Sequence, residues 1–174
     1  MKKITLVFFL AAFLGFAQLS HAQNLAHINS LELVQAMPES TKADDVLKTL
    51  SDQKAADLKK QEEALKTKYD TFMNAYKSKS DAELQKLQNE IQTKQAELQK
   101  DAQALDDTRQ AAAKELQQKQ TELYEPIYKK AQDGINAVAK AKGYLYVFDS
   151  SNGALLYLGG QDILNEVKAN LGIK

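Results

Sequence analysis

Residues 58–84 read LKKQEEALKTKYDTFMNAYKSKSDAEL, and the way this stretch divides decides the fold. Leu58, Leu65, Tyr69, Phe72 and Tyr76 follow one another at steps of seven, four, three and four, which places them in one stripe on an α-helix. At Lys77 to Ser80 the stripe lapses. Ser80-Asp81-Ala82-Glu83 then has the S-x-x-E form, in which a serine caps a new helix and a glutamate reaches back to it. The stretch predicts the turn of an antiparallel helical hairpin, with its tip near residues 77–81.

Outward from that turn, Glu39 to Glu125 contains neither glycine nor proline and is written mostly in Lys, Gln, Glu, Asp, Ala and Leu. One straight helix over 39–142 would extend on the order of 150 Å, whereas folding at Ser80 gives two arms of about 60 Å and returns the chain to its start. Leu50 joins the stripe of the outgoing arm. On the returning arm Leu84, Ile91, Leu98, Leu105 and Ala112 recur every seven residues, but the companion positions hold Lys94, Asp101 and Thr108. The seam of this coiled-coil arm is thin and polar. A step of four to Leu116, followed by Leu123 and Ile127, is a stutter that locally unwinds a supercoil. Pro126 removes a backbone hydrogen bond and predicts a bend. Ile127, Ala131, Ile135 and Val138 carry the stripe toward Lys142, where Gly143 suits a helix C-cap.

Residues 1–22 combine Lys2 and Lys3, an apolar run from Ile4 to Phe16, and small residues Ser20 and Ala22. This is the pattern of a secretory signal peptide cleaved after Ala22. A first strand over Leu25 to Asn29 and a brief helix capped by Ser30 and stopped by Pro38 fill residues 23–38. Residues 143–174 change composition abruptly. Tyr144 to Asp149 and Ala154 to Leu158 flank Ser150-Ser151-Asn152-Gly153 and predict a β-hairpin. A last helix follows, with Ile163, Leu164, Val167 and Leu171 on one face. Both faces of these strands are apolar, so a lone small sheet would leave one face and its edges uncovered. Several copies pooling their strands would cover both.

The 23 basic and 23 acidic residues cancel, and loss of Lys2 and Lys3 leaves 21 against 23. That balance recommends no nucleic-acid partner. With no cysteine there is no disulfide, thiolate metal site, Cys nucleophile or lipid-modified cysteine. His27 lies in a strand segment without a neighbouring Cys or His and reads as structural. Asp106 and Asp107 point in different directions on a helix and form no acid-base couple. Gly159-Gly160 leads into Gln161-Asp162, not the lysine of a phosphate loop. These features imply no enzyme, no cofactor, no metal and no catalytic residue.

Three terminal segments, in this order, resemble the Skp family of OmpH-like periplasmic chaperones: Leu25-Ala26-His27-Ile28-Asn29, Gly143-Tyr144-Leu145-Tyr146-Val147-Phe148-Asp149 with Leu155-Leu156-Tyr157 after it, and Asp162-Ile163-Leu164-Asn165-Glu166-Val167. The resemblance implies an α+β fold, mostly α, in which three chains form a small β body and their helical hairpins surround a cavity. It further implies a periplasmic homotrimer that holds unfolded outer-membrane proteins without ATP. A structural coiled-coil spacer or adaptor of the envelope is the rival expectation.

On that reading Tyr69, Phe72, Met73, Tyr76, Lys77 and Lys79 are candidates for client contact near the tip, since flexible and amphipathic side chains suit many apolar segments. Tyr69 and Phe72 read first as seam packing, and Met73 and Tyr76 equally as seam or contact. The tip lysines also leave open a weak contact with anionic membrane or lipopolysaccharide, although a solvated helix end has the same composition. Ile28, Leu145, Val147, Leu155 and Tyr157 are the candidates for the shared body.

Overall fold

The computed structural model describes residues 24–173, so the expected signal peptide and its cleavage site lie outside the described residues. In chain order the elements are β1 (Leu25–Ile28), α1 (Ser30–Ala36), α2 (Pro38–Tyr76), α3 (Asp81–Lys86), α4 (Gln88–Lys142), β2 (Tyr146–Asp149), β3 (Gln161–Asp162) and α5 (Leu164–Asn170). The fold is α+β and mostly α, with a long antiparallel helical hairpin and a small sheet.

The chain divides into two compact units, one of residues 38–127 and one formed by 24–37 with 128–173. The boundary therefore falls just after Pro126 and not at Lys142 as the composition suggested. The reason lies in α4 itself. Its residues up to 125 are polar with a sparse stripe, but Ala131, Ile135 and Val138 are buried and Gly134 approaches α5, where an added Cβ would lie 2.9 Å from Leu171 Cγ. The helix runs through Pro126 and ends in a Schellman cap: Gly143 has φ +72°, its N–H donates to Lys140 O, and Tyr144 N–H donates to Ala139 O. Gly172 (φ +71°) closes α5 in the same way through Ala169 O and Lys168 O.

In the hairpin unit the register is written in cross-helix pairs. Lys54 Nζ meets Glu115 at 2.6 Å, Arg109 meets Glu62 at 2.6 Å, and Lys68 meets Asp101 at 2.6 Å. Tyr124 OH donates to Asp44, and Tyr76 OH donates to Glu90 at 3.0 Å. As one partner number rises the other falls, which fixes α2 and α4 antiparallel. Between them only Ser40, Ala43, Leu105, Ala112 and Ile127 are buried, while Leu58, Leu65, Ile91 and Leu98 are half-buried. The seam is one apolar row with ionic edges.

The tip turns as the S-x-x-E pattern requires. Glu83 accepts from Ser80 N–H at 2.9 Å and from Ser80 Oγ at 2.7 Å, and those bonds hold its carboxyl below the usual range. A single interruption at Leu87 separates α3 from α4, and Ile91 N–H donates to Leu87 O across it.

In the other unit β1 is the central strand, parallel to β2 on one side and β3 on the other. The first strand thus joins strands from the far end of the chain. The predicted hairpin does not form: residues 154–158 make no strand, and β3 is Gln161–Asp162. The Asn-Gly turn itself is present, with Ala154 N–H donating to Asn152 Oδ1 and Gly153 at φ +67°. What diverts the chain is Asp149, which accepts from Ser30 N–H (3.2 Å), Ser30 Oγ (2.6 Å) and Ser151 N–H (2.9 Å), tying the end of β2 to the start of α1. Gly160 then runs against β1, where a Cβ would lie 2.8 Å from Leu25 O. Ser30 is consequently not the cap of α1. Asn29 is, accepting from Glu32 N–H at 3.0 Å.

Ala26 and Ile28 turn inward from β1, and Leu33, Val34 and Met37, Ile163, Leu164 and Val167 are buried in the same unit. α1 packs on α5, where Lys168 pairs with Glu32 at 3.0 Å.

Candidate functional site

Two surfaces carry the predicted residues, one in each unit. Near the tip of the hairpin, a cavity of about 410 Å³ opens between α2 and α4, floored by Phe72, Tyr76 and Leu98 and edged by Lys68, Glu90 and Asp101. The rings of Phe72 and Tyr76 lie 5.1 Å apart at 59°, a tilted aromatic pair. Burial pushes the Tyr76 phenol above its ordinary value, and the hydrogen bond to Glu90 adds to this. The hydrogen bond to Asp101 raises Lys68 in the same sense. Phe72 and Tyr76 thus belong to the seam.

Tyr69 and Met73 are 53% and 50% exposed, and Lys77 and Lys79 are exposed beside them. Tyr69 therefore leaves the seam in which its spacing placed it. A seam only one row wide keeps Leu65, Phe72 and Tyr76, and its second position is held by Lys68 in the ion pair with Asp101.

On the sheet the register sets Leu25 opposite Tyr146 and His27 opposite Phe148. Since side chains alternate along a strand, these four share the face turned away from the buried Ala26 and Ile28. Tyr146 and Phe148 stack at 6.3 Å, and both are exposed. A cavity of about 620 Å³ beside them is bordered by His27, Tyr144, Phe148, Leu155 and Tyr157. Of the expected shared-body residues, Leu145 and Tyr157 are exposed and Val147 and Leu155 half-buried, but Ile28 is 2% exposed and belongs to the core of its own chain. A four-residue strand presents alternate sides, and residue 28 falls on the inner one. Tyr146, Phe148, Leu156 and Leu158 are exposed on the same unit and were not singled out from sequence. The alternation of Tyr146 and Phe148 with Leu145 and Val147, and of Leu156 and Leu158 with Leu155 and Tyr157, is the signal that both sides of these segments carry apolar groups.

Among the described residues no group of three His, Cys, Asp or Glu is placed to hold a metal ion. No described helix is long and apolar enough to cross a membrane.

The family model of outer membrane protein (OmpH-like) matches residues 24–171, spanning the sheet, the hairpin and α5. The chain belongs to the OmpH-like family. Among solved structures, the OmpH-like chain is similar to a candidate outer membrane chaperone (OmpH-like) from Caulobacter crescentus CB15, with a TM-score of 0.66 and 20% identity over 90% of this chain and 89% of that one. At that identity the likeness is one of fold. No curated protein matches the chain.

Proposed function

We propose that this protein is an ATP-independent periplasmic holdase that keeps unfolded outer-membrane proteins soluble in a cavity between helical hairpins contributed by three copies. The observation that carries the reading is the hairpin end, where Tyr69 and Met73 stand half-exposed outside the thin polar seam, next to the groove of Phe72 and Tyr76. Many weak contacts from such side chains hold a chain without selecting a sequence. Lys77 and Lys79 add a weak attraction for acidic segments, anionic membrane or lipopolysaccharide. Assembly is supported by the β unit, in which Tyr146 on the three-stranded sheet and Leu145, Leu156 and Tyr157 beside it are exposed, and the sheet keeps open edges.

Deleting Tyr69 to Glu90 should leave the oligomer intact by light scattering but abolish protection of an outer-membrane protein diluted from denaturant. Full protection by the deletion variant would sink the mechanism.

One observation favours the rival spacer or adaptor: the cross-helix ion pairs at Lys54, Glu62 and Lys68 zip the hairpin in one register. A spacer binds one folded partner and does not suppress aggregation, so the dilution assay also separates the two.

A further inference from the structure

His27 stands in the middle of the surface through which copies would associate. It is on the central strand, opposite Phe148 of β2 and Asp162 of β3. It shares the outward face with Leu25, Tyr146 and Phe148 and borders the 620 Å³ cavity. Among the described residues its Nδ1 is buried and meets no hydrogen-bond partner.

A second copy of this chain fits that face. The chain carries its own apolar complement in residues 155–158, where Leu156 is fully exposed and Tyr157 is 86% exposed. β2 and β3 each keep an outer edge that no described strand pairs, and strand segments of another copy would continue them.

We propose, resting on the oligomer reading above, that His27 makes this association pH-dependent, joining copies when neutral and loosening them when protonated. In the imidazolium both ring nitrogens are donors, so protonation leaves a charged N–H unpaired at a position already closed to water. Covering the face with a second copy removes water from the rest of the ring, and a charge placed there would then lack both water and a partner.

The other titratable groups around the ring are few. Asp162 faces it from β3, with Oδ1 accepting from Leu164 N–H at 2.9 Å. β2 contributes the Tyr146 phenol and, one residue beyond the opposing Phe148, Asp149, which is committed to Ser30 and Ser151. Tyr144 and Tyr157 line the cavity. Between pH 8 and 5.5 ordinary carboxylates and phenols keep their charge state while an imidazole changes its own. Each proton that must be released on joining weakens association by about tenfold per pH unit in acid.

Sedimentation equilibrium of the exported protein at constant ionic strength, between pH 8 and pH 5.5, tests this. The expected result is an association constant at least about tenfold weaker at pH 5.5, with the dependence absent in His27→Asn and His27→Phe. Circular dichroism identifies which variant is folded, and either one suffices. Association that is unchanged or tighter in acid, as pairing of the imidazolium with Asp162 would give, overturns the proposal, and so does an undiminished pH slope in the folded variant. A monomer at every pH overturns the oligomer reading itself.

Discussion

Asp149 shows how one carboxylate redirects a chain. Burial alone would push it up, but the hydrogen bonds from Ser30 and Ser151 outweigh that and hold it below the usual carboxylate range. Because its folded value is depressed, the stabilisation is present above the ordinary carboxyl value and is lost as pH falls through the folded one. Asp149→Asn should therefore cost about 1 kcal/mol at pH 7, and thermal melts should show the gap from the parent protein closing below about pH 4. The same residue explains a misreading. Ser30 has the chemistry of a helix cap, but its hydroxyl is taken by a partner 119 positions away, and Asn29 caps instead. Local pattern cannot show such a competition. At the hairpin end the candidate set splits in a testable way: Tyr69→Ala with Met73→Ala should weaken protection of an unfolded client with melting unchanged within about 0.5 kcal/mol. Phe72→Ala, which empties the seam, should lower melting first.

At the scale of elements, the long helices were readable because their pattern repeats locally and their stops are chemical: the lapse at Lys77, the capping box at Ser80, the glycine after Lys142. Ser80→Ala should loosen that turn, and amide exchange at residues 77–87 should run about fivefold faster, while exchange at residues 105–112 stays as it was. The sheet was only half readable. Its members were visible as apolar runs, yet the partner of β1 depends on contacts across the whole chain, and an Asn-Gly turn suggested an antiparallel hairpin where a parallel crossover exists. Gly160 is the hinge of that difference, since the backbone of Leu25 leaves no room for a Cβ. Gly160→Ala should separate β3 from β1 and destabilise the unit by about 1–3 kcal/mol in chemical denaturation, with the hairpin unaffected.

At the scale of the molecule, family and fold class were legible from the order of three terminal segments, because those are the segments that pack the small unit. The division at Ile127 was not, since the last turns of α4 look continuous with the polar helix before them and differ only in what covers them. The central strand has a consequence for biosynthesis. β1 is among the first segments of the folded part to leave the ribosome, yet both of its neighbours lie beyond residue 145. The hairpin can close on local contacts while β1 waits for nearly the entire chain, an ordering that contact separation imposes. A chain interrupted between Ile127 and Tyr146 would own a finished hairpin and no sheet, so completion of the sheet requires synthesis to have passed Asp162.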